Sequence, residues 1–208
     1  MQTLTRGQDS YQVPQIDINF GVGERLQLTY EIPYVLQSSA GAGSASGWSN
    51  ALTGAKWRFL DQGEDGWQAS VFPQVQTGAP ASAQRAGIAL SGPRWLLPLE
   101  VARRIGPIDV AAEVGYFPAR HAVSERFMGL VLGRALSKRL ELDAEIYDDR
   151  MSGGMSGNPR HETTLDAGGR LTMNEHLVAL FMAGRGLRGA SDGQTEFIGY
   201  FGIQILIH

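Results

Sequence analysis

Leu140–Asp149 reads LELDAEIYDD. Leu140, Leu142, Ala144 and Ile146 alternate with Glu141, Asp143, Glu145 and Tyr147. A period of two is that of a β-strand with one apolar face. The other face stacks carboxylates where like charges on one strand repel. The fold turns on what the apolar face touches and what tolerates the acid ladder.

The same period runs through the chain. Ile16, Ile18, Phe20 and Val22 alternate with polar residues, and after the turn GVGER so do Leu26, Leu28, Tyr30 and Ile32. Later segments repeat it, from Thr53–Phe59 and Trp67–Val75 through Ile108–Tyr116 to the closing Phe197–Ile207. The Phe127–Leu136 run is apolar or glycine on both faces, and Arg134 marks its polar side. His176–Leu187 is the best rival for a helix, but Gly184 and Gly186 disfavour one. Eleven strands are convincing, and Met1–Arg6 supplies the remnant of a twelfth before a loop at Gly7–Ser10.

Connections alternate in length. GVGER, LDQGEDG, RIGPI, LSKR and TMNE are short, whereas QSSAGAGSASG, TGAPASAQRAGIALSG, PARHAVSER, MSGGMSGNPRH and RGASDGQ are long. Short turns at one end and long loops at the other are the habit of outer-membrane barrels. Tyr11, Tyr34, Trp95, Tyr116, Phe127 and Phe197 sort to the long-loop end, and Trp57, Phe59 and Trp67 to the short-turn end, as two aromatic girdles. The parity of Trp48 disagrees with that of Trp57, which places it in a loop or the lumen.

The polar faces hold Glu31, Lys56, Arg58, Glu100, Arg104, Glu113, Arg134, Glu141, Asp143, Glu145, Asp166 and Arg170. The opposite faces are nearly free of charge, as lipid requires, because a charge at the bilayer midplane costs roughly 2–4 kcal/mol. The expected fold is therefore all-β, a closed antiparallel transmembrane β-barrel of about 12 strands over residues 1–208, with short periplasmic turns, long extracellular loops and residues 1–10 as the first-strand remnant. A two-residue turn at Ser137–Lys138 would set Arg134 opposite Glu141, with Arg170 and Asp166 on the next strand. The charged face is then either a polar pathway or an internal salt-bridge network that closes the barrel. The assignment excludes Arg from Val110 on the lipid face and accepts it at Gln74 in the lumen. A soluble barrel with a solvated charged face is the competing fold.

Bulk properties narrow the function classes. The chain carries 18 Lys+Arg against 21 Asp+Glu, which gives nucleic acid no attraction. Without cysteine there is no disulfide scaffold or thiolate metal site. No spanning helix and no signal peptide is visible, so a leader has been removed or the chain is cytosolic. His121 with Ser124, and His161 with Glu162, Asp148 and Asp149, are the only groupings suggestive of catalysis or metal binding, and solvated loop residues explain them better. No catalytic residue, metal or cofactor is expected. Met151 and Met155 lie in a Gly/Ser loop.

IDINFGVGERLQLTYEIPY and ALTGAKWRFLDQGEDGWQASVFPQVQTGAP resemble the opening hairpins of the outer-membrane family named for the MetA pathway of phenol degradation. LSKRLELDAEIYDD and FIGYFGIQI are similar to its later strands, and the resemblance runs from about Tyr11 onward. It implies an outer-membrane channel or transporter for small solutes, aromatic or hydrophobic ones included. The partners implied are outer-membrane lipid, a small-molecule solute and the barrel assembly machinery. A barrel with a plugged lumen and a structural or interaction role is the alternative. The short first strand and the Ile-His end depart from the family pattern.

Overall fold

Strand pairing, not a packed interior, organises this chain. The computed structural model describes residues 1–5, 8–39, 43–120, 123–152, 160–188 and 195–206, with only the backbone at 119, 120 and 123. His121, Met155 and the closing Ile207–His208 lie outside the described residues. The strands are β1 Gln2–Thr5, β2 Gln8–Val22, β3 Leu26–Ser39, β4 Gly43–Trp48, β5 Leu52–Asp61, β6 Trp67–Val71, β7 Gln74–Gln76 and β8 Arg94–Leu96. They continue as β9 Leu99–Ile105, β10 Ile108–Arg120, β11 Val123–Ala135, β12 Leu140–Ser152, β13 Arg160–Thr172, β14 Leu177–Gly186 and β15 Thr195–Ile205. One short helix, α1 Ala81–Arg85, lies in the long connection after β7.

All pairings are antiparallel, and the ring closes where β3 pairs β5 and where β1 joins β2 to β15. Three staves are broken. β4 and β5 both pair β3, β6 and β7 both pair β5, and β8 follows β7 as β9 follows β6. With those halves joined, the fold is a closed 12-strand antiparallel barrel. Pro73 and Pro98 stand at two of the breaks, where a missing N–H is least costly. The first stave is short. Met1 donates its amine to the Gln12 carbonyl and accepts from the Gln12 N–H, so it sits mid-wall.

The faces sort strongly. Phe20, Trp95, Phe201 and Ile205 are 65%, 65%, 71% and 68% exposed, whereas alanine is the commonest of the buried apolar residues described. A contiguous belt of exposed large apolar side chains does not suit a barrel in water. It suits a wall whose outside is covered by hydrocarbon, with every backbone group paired around the ring.

The register corrects three expectations. Arg134 pairs Leu142, and Ala135 pairs Glu141. The β11–β12 turn is thus one residue longer than expected, and a slip of one moves every side chain to the other face. Arg134 points outward near the Leu136–Arg139 turn, where a long side chain can reach the interface. Phe127 pairs Gly115 and Asp149 on the inner face and leaves the girdle. Trp48 pairs Tyr34 on the outer face and meets its ring edge-on at 5.2 Å. The break at 49–51 resets parity between β4 and β5, so Trp48 and Trp57 both face out. His176–Leu187 contains strand β14, as its glycines suggested.

Candidate functional site

Opposed residues in antiparallel strands share a face, so the pairings trace the inner wall. Glu31 lies across from Asp17 and accepts from the Gln15 amide at 2.7 Å. Lys56 reaches past Ser70 of β6 to Glu100 of β9, with Nζ 2.7 Å from Oε2. Glu100 opposes Glu113. Arg58 ion-pairs with Asp61 at 3.2 Å and donates to the Glu24 carbonyl. Arg104 holds Asp109 through two hydrogen bonds at the short-turn end.

The acid ladder also turns inward. Glu141 opposes Arg170, Asp143 opposes Gly168 and Glu145 opposes Asp166. Arg170 stands 3.9 Å from Glu141, an ion pair at the edge of contact. Among the described residues, no basic side chain pairs with Asp143 or Glu145. Arg134, the expected second partner, is on the far face. The lining of β10–β13 is therefore strongly acidic, with Glu113, Glu125, Glu141, Asp143, Glu145, Asp149, Glu162 and Asp166 pointing in.

Glycines give these carboxylates somewhere to lie. A Cβ at Gly129 would meet Glu145 at 2.8 Å and one at Gly168 would meet Asp143 at 3.2 Å, while one at Gly184 would collide with Asp166. The acids thus lie against the wall, over the glycines. We expect Gly184→Val to lower the temperature of the heat-dependent gel shift by at least several degrees, because Asp166 is buried and its carboxylate would have to move. An unchanged transition would show that Asp166 has room elsewhere.

Several site residues escaped sequence reading. Arg94 lies 3.1 Å from Glu125 and 4.3 Å over the Phe117 ring, a buried group at the long-loop end. Arg160 holds Asp149 at 3.0 Å, and Glu162 accepts from the Thr195 N–H at 3.0 Å. Trp95 faces out, and parity from it is the signal that places Arg94 inside. Glu125 and Arg160 fell in segments read as loops, which are the tops of long strands. Beside the acids, β14 and β15 line the lumen with Val178, Leu180, Met182, Ile198 and Tyr200. A cavity of about 330 Å³ bordered by Gln68, Arg104, Asp109, Val131, Glu141 and Asp143 occupies the short-turn half of the lumen. One of about 790 Å³ lies where β13–β15 end, lined by Leu165, Ala183 and Phe197 with Asp166 and Arg185.

The long connection after β7 folds inward. Val35 and Gly47 share the inner face of β3 and β4, and a Cβ at Gly47 would lie 3.8 Å from Ile88 and 4.0 Å from Ala83. Val35, Ala83, Ile88 and Ala89 form the small apolar cluster that seats it. Asn50 clamps both ends. Its amide donates to the Thr77 and Leu90 carbonyls at 2.8 and 3.0 Å, and its oxygen accepts from the Leu90 N–H at 2.8 Å. Ser49 donates to the Ile88 carbonyl. The segment Thr77–Pro93 therefore stands inside the long-loop mouth.

The groupings weighed for catalysis separate. His161 Nε2 is 2.7 Å from Asp148 on the outer face, whereas Glu162 and Asp149 face in. Ser124 meets Ser152 at 2.6 Å. No cluster of three metal-ligating residues occurs among the described residues.

No protein-family model matches this chain, and no curated protein sequence does. Among solved structures it is similar to the COG4313 outer membrane channel from Pseudomonas putida F1, with a TM-score of 0.65 over 97% of this chain and 88% of that one, at 10% identity. The chain has the fold of an outer-membrane channel. At that identity the likeness speaks for architecture, and the roles of individual lumen residues rest on their geometry here.

Proposed function

We propose that the protein is an outer-membrane channel that passes small solutes and favours cations over anions. The observation that carries this reading is the pair Asp143 and Glu145, lumen-facing carboxylates without a basic partner among the described residues. A salt-bridge plug would neutralise them, whereas rings of uncompensated charge make a selectivity filter. Lys56, Arg58, Arg94, Arg104 and Arg160 are each tied to a carboxylate, so the remaining field of the lumen is negative.

The apolar lining of β14 and β15 supports solutes with a hydrophobic or aromatic part, in keeping with the resemblance to the family named for MetA. A small aromatic molecule could slide along Leu180 and Met182 while its polar end meets the acidic wall. Outer-membrane lipid and the barrel assembly machinery are the partners such a protein requires.

The test is the reversal potential across a planar bilayer under a salt gradient. The parent barrel should pass cations over anions by about fivefold or more. Asp143→Asn with Glu145→Gln should bring the ratio close to unity. An anion-selective pore, or one indifferent to the double substitution, would defeat this reading. The inward-folded Thr77–Pro93 segment favours a second reading, a barrel with a closed mouth. That reading predicts no current from the parent protein and no solute-driven swelling of liposomes.

A further inference from the structure

One charged surface takes no part in the lumen. It lies on the outer face, at the long-loop ends of β11–β14. Arg126 pairs Arg150 directly, and Arg150 pairs His161. Arg188 donates to Thr163 at 3.2 Å and lies 3.0 Å from His161. Arg185 stands across from outward Leu165.

This is an unusual place for basic groups. Directly opposed like charges sit about 5 Å apart and repel, and the wall directly below them, at Met128, Leu130, Ile146 and Leu165, is apolar and exposed. The outward carboxylate among them, Asp148, is already held by His161 at 2.7 Å, Thr163 at 2.8 Å and Arg150 at 3.0 Å. Among the described residues, no carboxylate pairs with Arg126, Arg185 or Arg188. Glu196, at a β15 bulge, forms no ion pair with either Arg185 or Arg188. Arg126 also opposes Tyr116, an aromatic of the long-loop girdle. Girdle aromatics mark the headgroup level.

We propose that this rim binds the phosphates of a bisphosphorylated glycolipid in the outer leaflet. Guanidinium groups pair phosphate oxygens two at a time. Arg126, Arg150 and His161 occupy three neighbouring strands, a span of about 10 Å that exceeds one phosphate. The acyl chains would lie on Met128, Leu130 and Ile146 directly below. Among the described residues the opposite rim offers no like-charge pair of this kind: Arg103 is taken by the Trp67 ring and the Asp65 carbonyl, and Arg134 stands across from Leu142.

The inference rests on the outer-membrane reading, and the experiment separates the two. The detergent-solubilised barrel is incubated with a bisphosphorylated lipid A-type glycolipid and passed over a sizing column, and retained phosphorus is counted per barrel. Arg126→Gln/Arg150→Gln/Arg188→Gln should retain about tenfold less than the parent, while Arg103→Gln/Arg134→Gln on the other rim should match it. Arg126→Gln alone breaks no side-chain hydrogen bond or ion pair among the described residues and should still cost about threefold, which covers the case of a misfolded triple variant. Millimolar inorganic phosphate and phosphatidylglycerol should not displace the glycolipid. Equal retention by all variants, equal loss in the Arg103/Arg134 control, or displacement by free phosphate would overturn the proposal. A chain that stays folded and monomeric without detergent would instead fail the membrane reading itself.

Discussion

Leu130→Arg should abolish assembly, and Val131→Arg, one residue along, should leave it intact. Leu130 faces out between Ala112 and Ile146, midway down β11. A guanidinium there enters hydrocarbon, at a cost of about 2–4 kcal/mol, roughly thirty- to a thousandfold in the folded fraction. Val131 faces in between Ala111 and Glu145. An Arg at that position meets an unpaired carboxylate across the strand pair. The measurement is heat-modifiable migration after refolding into detergent or vesicles. Equal yields of the two variants would mean that the inner and outer faces are exchanged or that the barrel is soluble.

This neighbour pair tests the assignment better than Val110 and Gln74. Val110 does face out, but Gln74 is buried against Gly54 beside Phe72 and has no room for a longer side chain. Sequence parity places Gln74 inward correctly and says nothing about its packing. The same distinction runs through the whole reading. Period two made the strands legible, because a wall between lipid and lumen imposes alternation on each stave. Met1–Arg6 contains the short first stave for the same reason.

What parity could not reach are places where alternation is interrupted or irrelevant. The break at 49–51 resets the phase, so Trp48 looked misplaced. The turn after Ala135 is one residue longer than a two-residue hairpin, and that residue sent Arg134 outward. β10, β11, β12 and β13 continue past the girdle to Arg120, Val123, Ser152 and Arg160. There both faces are polar and the hydrophobic period vanishes, which concealed Glu125 and Arg160. α1 is a five-residue helix of two alanines and three polar residues held by tertiary contacts, with too little apolar area to show a helical period.

Removal of the Asn50 clamp should enlarge the pore. Asn50 supplies hydrogen bonds to both ends of Thr77–Pro93, and the rest of the seat is Ser49 on the Ile88 carbonyl, Thr77 on the Ala51 carbonyl, and Val35, Ile88 and a few alanines. Losing the amide leaves buried polar groups of the segment unpaired, a penalty of about 1–3 kcal/mol each. Small apolar contacts of this kind offset little of that, so the segment should leave the wall for much of the time. Asn50→Ala should therefore raise mean single-channel conductance about twofold or more, with longer open dwells. The reverse manipulation is available because the chain has no cysteine. The Cβ positions of residues 47 and 83 lie 4.0 Å apart, within the roughly 3.5–4.5 Å that a disulfide spans. Gly47→Cys/Ala83→Cys should give a steady low-conductance pore when oxidised and recover its openings with reductant. If the oxidised and reduced pores carry the same current, Thr77–Pro93 lines the mouth without controlling it. If neither variant conducts although the cross-link forms, the barrel is closed by something else in its lumen.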